Sequence, residues 1–135
     1  DTLTGATRAR DVALTLYAFA ERHHPAGAAH PIINEIGPDG AVIDGAALLW
    51  PQTEYLKALA ARIEFEGDMD AVAKLDPHLA LMFARFVDRD TGLWTNRIDA
   101  AGEAVIAHVP VRVLYHLLLA LAEVARVKRL AAARA

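Results

Sequence analysis

Apolar positions recur along this chain with two different periods, and the alternation between them sets out its elements. Val12, Leu16, Phe19 and Ala20, with Tyr17 beside them, share one face of a first helix that Thr4 or Thr7 can cap and that His23, His24 and Pro25 end. A loop through Gly27 and Pro31 leads to two short apolar runs, 32–36 and 41–43, which read as strands about the turn Gly37-Pro38-Asp39-Gly40. Pro51 is welcome in a helix's first turn, so the second helix is expected from about Trp50 to Glu66, with Gly67 stopping it. Asp68 or Asp70 caps a third helix reaching about Phe86, which Pro77 either kinks or restarts. Beyond a turn at 88–92, residues 93–99 and 103–108 read as a second hairpin around Ala101-Gly102, and Pro110 opens the fourth helix.

That fourth helix carries Val113 to Glu123, VLYHLLLALAE, apolar on nearly every side. Such a helix is expected to be buried all round, with His116 inside. A buried imidazole needs a partner, because leaving it unsatisfied costs about 1–3 kcal/mol. Two readings stand: a core histidine satisfied by a neighbouring carbonyl, or a general acid or base held in a dry site.

Helix, hairpin, helix occurs twice, and the two halves align. A shift of 62 residues places Asn34 on Asn96, Ile36 on Ile98, Gly40 on Gly102, Leu56 on Leu118 and Leu59 on Leu121. It also places Glu54 on His116. If the halves are structural equivalents, this carboxylate and this imidazole stand at matching points near the starts of neighbouring inner helices and face one centre. The predicted fold is all-α: antiparallel helix–hairpin pairs stacked side by side, with short β-hairpins in the loops within each pair. Two pairs leave two open sides, which an α/α toroid would close with more.

Composition adds constraints. The chain has 135 residues, 55% hydrophobic and 23% charged, the size of one domain and richer in apolar residues than so small a core needs. Some of that apolar surface is therefore expected to face missing chain, a partner subunit or a ligand cavity. The formal charge of −3 and scattered basic residues argue against nucleic acid as a partner. Arg126, Lys128, Arg129 and Arg134 are best read as cations at the negative end of a helix dipole. There is no cysteine, hence no disulfide and no thiolate nucleophile, and a reducing cytoplasm is the expected location. No signal peptide or membrane span is visible, and the start at Asp1 without methionine points to processing, trimming or excision from a longer chain.

Few residues carry candidate chemistry. Trp50, Gln52 and Glu54 lie together at the head of the second helix, and Trp50 and Glu54, four apart, share a face. An aromatic plane beside a carboxylate suits a sugar, the ring covering its C–H face while the acid takes its hydroxyls. The same two residues also fit a core tryptophan and an acid favoured by the helix dipole. His23, His24 and His30, with Glu35 nearby, lack the one-face spacing of helical metal motifs, so no metal is expected. Glu64, Glu66, Asp68 and Asp70 read as a solvated turn, and His78 and His108 as surface or loop residues. With no serine and no glycine-rich phosphate loop, serine hydrolysis and nucleotide binding have no support.

Three stretches carry a resemblance over nearly the whole chain: LLWPQTEYLKA at 48–58, MFARFVDRDTGLWTNRIDAAG at 82–102 and PVRVLYHLLLALAE at 110–123. In this order they resemble the N-acylglucosamine 2-epimerase superfamily, especially its bacterial mannose isomerase and mannose-6-phosphate isomerase-like branch. The resemblance implies an (α/α)6 barrel, of which residues 1–135 would be a single domain forming the C-terminal third, in units of about 5–66 and 67–130. It implies aldose–ketose isomerisation or 2-epimerisation through an enediol-like intermediate, with two histidines and neither metal nor cofactor. His116 matches the second of those histidines, and Trp50 and Glu54 match the Trp and Glu lining the sugar pocket. The first histidine and a substrate-binding arginine would lie in chain absent here, so the isolated chain is expected to be inactive. Expected partners are a monosaccharide or sugar phosphate, and the remainder of the barrel or another subunit, three chains giving the twelve helices of a closed ring. Arg112 and Val113 depart from the small hydroxyl residues this branch often has before its Tyr-His pair. The alternative is a helical interaction or regulatory module that kept the fold without the catalysis.

Overall fold

The computed structural model describes residues 7–24, 30–106, 108 and 110–133. Thr4, Pro25, Gly27 and Arg134 of the expectations above lie outside them. The elements run α1 (Thr7–His23), β1 (Glu35–Ile36), β2 (Val42–Asp44), β3 (Ala47–Leu48), α2 (Leu49–Ala61), a π-helical turn (Arg62–Glu66), α3 (Met69–Phe86), β4 (Arg97–Ile98), β5 (Ala104–Ile106) and α4 (Val111–Ala132). Every element of the first half but β3 and the π-helical turn thus has a counterpart that begins 62 residues later.

Local chemistry explains the boundaries. Gly67 ends the π-helical turn in the left-handed region, at φ 64°, and the Asp68 carboxylate accepts from the backbone N–H groups of Asp70 and Ala71 to cap α3. Pro77 sits inside α3, which neither ends nor restarts there. The strands are shorter than their apolar runs suggest. One strand escapes local pattern altogether, because β3 pairs with β4, its Ala47 opposite Ile98 and Leu48 opposite Arg97. The second hairpin thereby becomes a three-stranded sheet that ties the two halves together.

The core is built around α2. Leu49, Leu56, Leu59 and Ala60 pack with Ala71, Leu75, Met82 and Phe86 of α3 and with Val113, Leu117, Ala120, Val124 and Val127 of α4. Each fully buried leucine contributes on the order of 1.5–3 kcal/mol. Contacts between α2 and α4 join residues 62 apart at both ends, Glu54 to His116 and Glu64 to Arg126, so these helices run parallel and in register. By contrast α3 is antiparallel to α2, with Asp68 on Arg62 and His78 on Tyr55. On its other side α1 is held by polar and aromatic ties. Tyr17 stacks on Tyr55 at 6.4 Å under the Arg62 guanidinium, Arg10 pairs with Glu66 at 2.6 Å, and Glu21 takes both the Tyr55 hydroxyl and Lys74.

Several expectations fail here, two of them because the described residues leave an apolar face of α1 and of α4 uncovered. α4 is not buried all round. Its inward face is Val113, Leu117, Ala120, Val124 and Val127, while Val111, Leu114, Tyr115, Leu118 and Leu119 are exposed. On α1 the Val12–Leu16 face points to solvent and Tyr17 and Glu21 turn inward. His78 is no surface residue; it is 4% exposed on α3, edge-on to Tyr55 at 4.7 Å. The acidic run is paired rather than merely solvated: Glu64 with Arg126, Glu66 with Arg10 and Asp68 with Arg62. At the end of the chain Arg126 and Lys128 meet Glu64 and Asp76 instead of serving only the helix dipole.

The repeat extends to turn geometry. Gly40 and Gly102 take φ of 85° and 89°, and each faces the last turn of the preceding outer helix, at His23 and Arg85. A Cβ on Gly40 would stand 2.2 Å from the His23 ring, whereas one on Gly67 would meet nothing within 4 Å. In urea unfolding, Gly67→Ala is expected to lower stability by about 1 kcal/mol, the cost of the left-handed conformation alone. Gly40→Ala is expected to cost more; equal losses would contradict the close packing at His23.

Candidate functional site

The head of α2 is fixed before any chemistry is placed on it. Gln52 is fully buried, accepts from the Ile32 N–H at 2.9 Å, and donates to the Ile32 and Leu48 carbonyls at 2.8 and 2.9 Å. It is a structural staple between loop and helix and no part of an open site. The Leu49 N–H donates to the Asn96 carbonyl at 3.0 Å, locking the same helix end to the other half of the molecule. Trp50 and Glu54 then project from the first two turns on a different side from Gln52.

Parallel packing in register brings His116 opposite Glu54. The imidazole Nδ1 lies 2.6 Å from Glu54 Oε1, and Lys57 Nζ stands 2.7 Å from that same oxygen. Tyr115 packs against the His116 ring at 4.1 Å and Trp50 lies 6.2 Å away, centroid to centroid. The structure therefore gathers all three residues singled out from the sequence, His116, Trp50 and Glu54. It adds Lys57, which sequence reasoning passed over, and Tyr115, read from the sequence only as the first member of the Tyr-His pair. For Lys57 the signal was available, since an acid and a base three apart on a helix meet.

Electrostatics assign the proton between the pair. Burial raises the Glu54 carboxyl, but hydrogen bonds and charge from Lys57 and His116 outweigh it and hold the group below the ordinary glutamate value. Near neutrality Glu54 is therefore an ionised acceptor, so Nδ1 of His116 carries the hydrogen and donates. Nε2 is left as the nitrogen that can take up or release a proton. A carboxylate that fixes the tautomer of a histidine and stabilises its cation is a recurrent device of acid–base sites.

The surroundings are open. Trp50 is exposed and Glu54 and His116 are half-buried. A groove of about 620 Å³ lies elsewhere, lined by Ala9, Ala13 and Tyr17 of α1 and by Ala58, Arg62 and Phe65 after them. The other histidines take no part. His23 packs on Phe19 at 4.6 Å, His24 stacks with Tyr55 at 5.7 Å, and His30 is exposed. Among the described residues no three His, Cys, Asp or Glu side chains are grouped as a metal would require. His78 lies in the core, where burial and the neighbouring His24 push it down to about 4, while a hydrogen bond with the Gln52 backbone opposes them in part. Its Nε2 has no hydrogen-bond partner.

Comparison with known proteins follows the same lines. The profile of the family described as N-acylglucosamine 2-epimerase (GlcNAc 2-epimerase) matches residues 4–120. The fold is similar to a solved structure described as D-mannose isomerase, with a TM-score of 0.72 and 18% identity over 82% of this chain. The match spans 29% of that longer chain. No curated protein sequence matches.

Two pH windows follow. His78 has a folded value below its unfolded one, so the unfolded state binds more protons and stability falls as pH drops from about 6.5 to about 4. The loss is on the order of 3 kcal/mol, and His78→Gln is expected to flatten it in urea midpoints measured across this range; an unchanged slope would contradict the burial of a neutral ring. Glu54 is also depressed, so its contribution is present above its unfolded value of 4.5 and lost as pH falls through the lower folded one. Being 39% exposed and open to screening, the Glu54 side chain contributes less than about 1 kcal/mol. The stability difference between wild type and Glu54→Gln should shrink below pH 4.5 and with added salt.

Proposed function

The chain belongs to the N-acylglucosamine 2-epimerase family, and on that premise we propose that it supplies one part of a sugar isomerase or epimerase site, with His116 as acid–base residue and Trp50 and Glu54 contacting the sugar. The observation that carries this reading is the 2.6 Å contact between Glu54 and His116, beside Trp50, at matching points of two repeats. The substrate class is a mannose-type monosaccharide or its phosphate, and the reaction is aldose–ketose isomerisation or 2-epimerisation.

The chemistry asks for a base of near-neutral strength beside a carbonyl. Nε2 of His116 takes the proton from the carbon next to the sugar carbonyl; the pair of that C–H bond becomes a carbon–carbon double bond and the carbonyl π pair moves onto the oxygen, giving an enediolate. Glu54, held ionised by Lys57, accepts from Nδ1 throughout and stabilises the imidazolium that forms. Isomerisation is completed when the former carbonyl oxygen gains a proton, the neighbouring hydroxyl loses its own to become the new carbonyl, and the imidazolium returns its proton to the former carbonyl carbon. Return instead to the carbon it came from, on the other face, completes epimerisation and needs a second acid. Trp50 offers its ring to the C–H face of the sugar.

On this reading the chain is the C-terminal third of a six-pair ring, in units of about 5–66 and 67–130, and acts in the cytoplasm. The match covers 29% of the D-mannose isomerase chain, close to one third of it. The rest of the site comes from the remainder of the barrel or another subunit, and the chain alone is inactive. No helix among the described residues is long and apolar enough to cross a membrane. A second reading, a helical interaction module without catalysis, is favoured by the exposed apolar face of α4.

Titration of the isolated chain with D-mannose and mannose 6-phosphate, followed by NMR, separates the two. Shifts at His116 and Trp50 that vanish in Glu54→Ala are expected; no shift at either residue at any sugar concentration would favour the module. In a complete, active assembly His116→Asn is expected to lower kcat by about 10²–10⁴-fold with KM little changed. A rate within a few-fold of wild type would exclude His116 as the base.

A further inference from the structure

The pair formed by Glu54 and His116 has a third member. Lys57 follows Glu54 by three residues on α2, and its Nζ stands 2.7 Å from Glu54 Oε1. His116 Nδ1 reaches that same oxygen, at 2.6 Å. One carboxylate oxygen thus holds an ammonium and an imidazole N–H together. With the Lys57 side chain 27% exposed and that of Glu54 39%, the contact is partly sheltered and salt screens it incompletely.

The repeat sets this lysine apart from the packing around it. Residues 56–60 read LKALA and their equivalents at 118–122 read LLALA, so Lys57 against Leu119 is the one difference in the stretch. Leu56, Leu59 and Ala60 of the first copy and Ala120 of the second lie in the core. A helix at the equivalent place of the fold carries leucine there, so the fold itself does not call for a lysine. What distinguishes the two places is the carboxylate one turn before Lys57.

A carboxylate does two things to a histidine: it orients the ring by accepting from Nδ1, and its charge favours the imidazolium. The two do not serve a base equally, because a ring charged too readily gives up the lone pair with which Nε2 takes a proton. Lys57 parts them. Its charge opposes a second cation on Oε1, while Oε1 goes on accepting from the ring. Burial raises the Glu54 carboxyl, and the Lys57 hydrogen bond is foremost among the influences that bring it down. Among the described residues no other charged side chain is ion-paired with these three, and the remaining neighbours of the imidazole are the rings of Tyr115 and Trp50.

We propose that Lys57 is a positioning residue of this site: sharing Glu54 Oε1 with His116, it cancels the charge of the carboxylate without releasing the ring, and so sets the pH range over which Nε2 exchanges its proton. The catalytic meaning of this rests on His116 being the acid–base residue proposed above. The hold on the ring does not.

Histidine C–H resonances followed by NMR across the neutral pH range test it, with His116→Gln to identify the His116 signal and circular dichroism to verify folding. In Lys57→Leu the midpoint at which His116 gains a proton is expected about one pH unit above wild type, and in Lys57→Arg close to wild type. Lys57→Gln, uncharged but longer than leucine, is expected to shift it upward as well and stands in if the leucine variant does not fold. A midpoint unmoved or lowered in the folded uncharged variants would overturn the proposal, as would an equal rise in Lys57→Arg. In a complete, active assembly the acid limb of the kcat/KM profile is expected to move up with the midpoint. A limb that stays while the midpoint moves upholds the role of Lys57 on the ring and removes His116 as the base, so the two claims fail separately.

Discussion

The packing of α2 against α4, parallel and displaced by 62 residues, is the constraint on which the rest depends. Leu56, Leu59 and the small Ala60 of α2 pack with Leu117, Ala120 and Val124 of α4 in one apolar cluster. Because the displacement equals the repeat, like positions come side by side. Chemistry then becomes a matter of which residues the two halves carry at a shared level. At one level they carry Glu54 and His116, at another Glu64 and Arg126.

Both ends of that seam are held from outside it. Gln52 and the Leu49–Asn96 hydrogen bond fix where α2 starts, and the three-stranded sheet joins that start to the second half. At the far end Arg126 gathers Glu64 and Glu123, with Glu64 at 2.5 Å. Glu54 and His116 are therefore positioned by hydrogen bonds and packing made outside the pair itself. Their contact adds little to stability and much to orientation.

Much of this was legible in the sequence, because the repeat was. Asn34 on Asn96 and Gly40 on Gly102 give the displacement, and the displacement by itself puts Glu54 on His116. What misled was apolarity read as burial. Leu16 and Leu118 have the periodicity of core residues, yet each lies on a face whose cover is not in this chain's described residues. His78 shows the opposite error. It completes the stripe Ala71, Leu75, His78, Met82, and that spacing was the signal that it belongs inside. Strand β3 could not have been read locally, since its partner lies some 50 residues away in the other half. The acidic run hid its function for a similar reason, its arginine partners being spread over three elements.

The central claim is that the two repeats meet at a Glu54–His116 hydrogen bond in which the imidazole donates through Nδ1. Nitrogen-15 spectra of the histidine side chains at neutral pH test it most directly. A protonated Nδ1 and an unprotonated Nε2 at His116 are predicted, shifting toward the ordinary tautomer mixture in Glu54→Gln. An Nε2-protonated ring, or a His116 spectrum indifferent to Glu54, would contradict it.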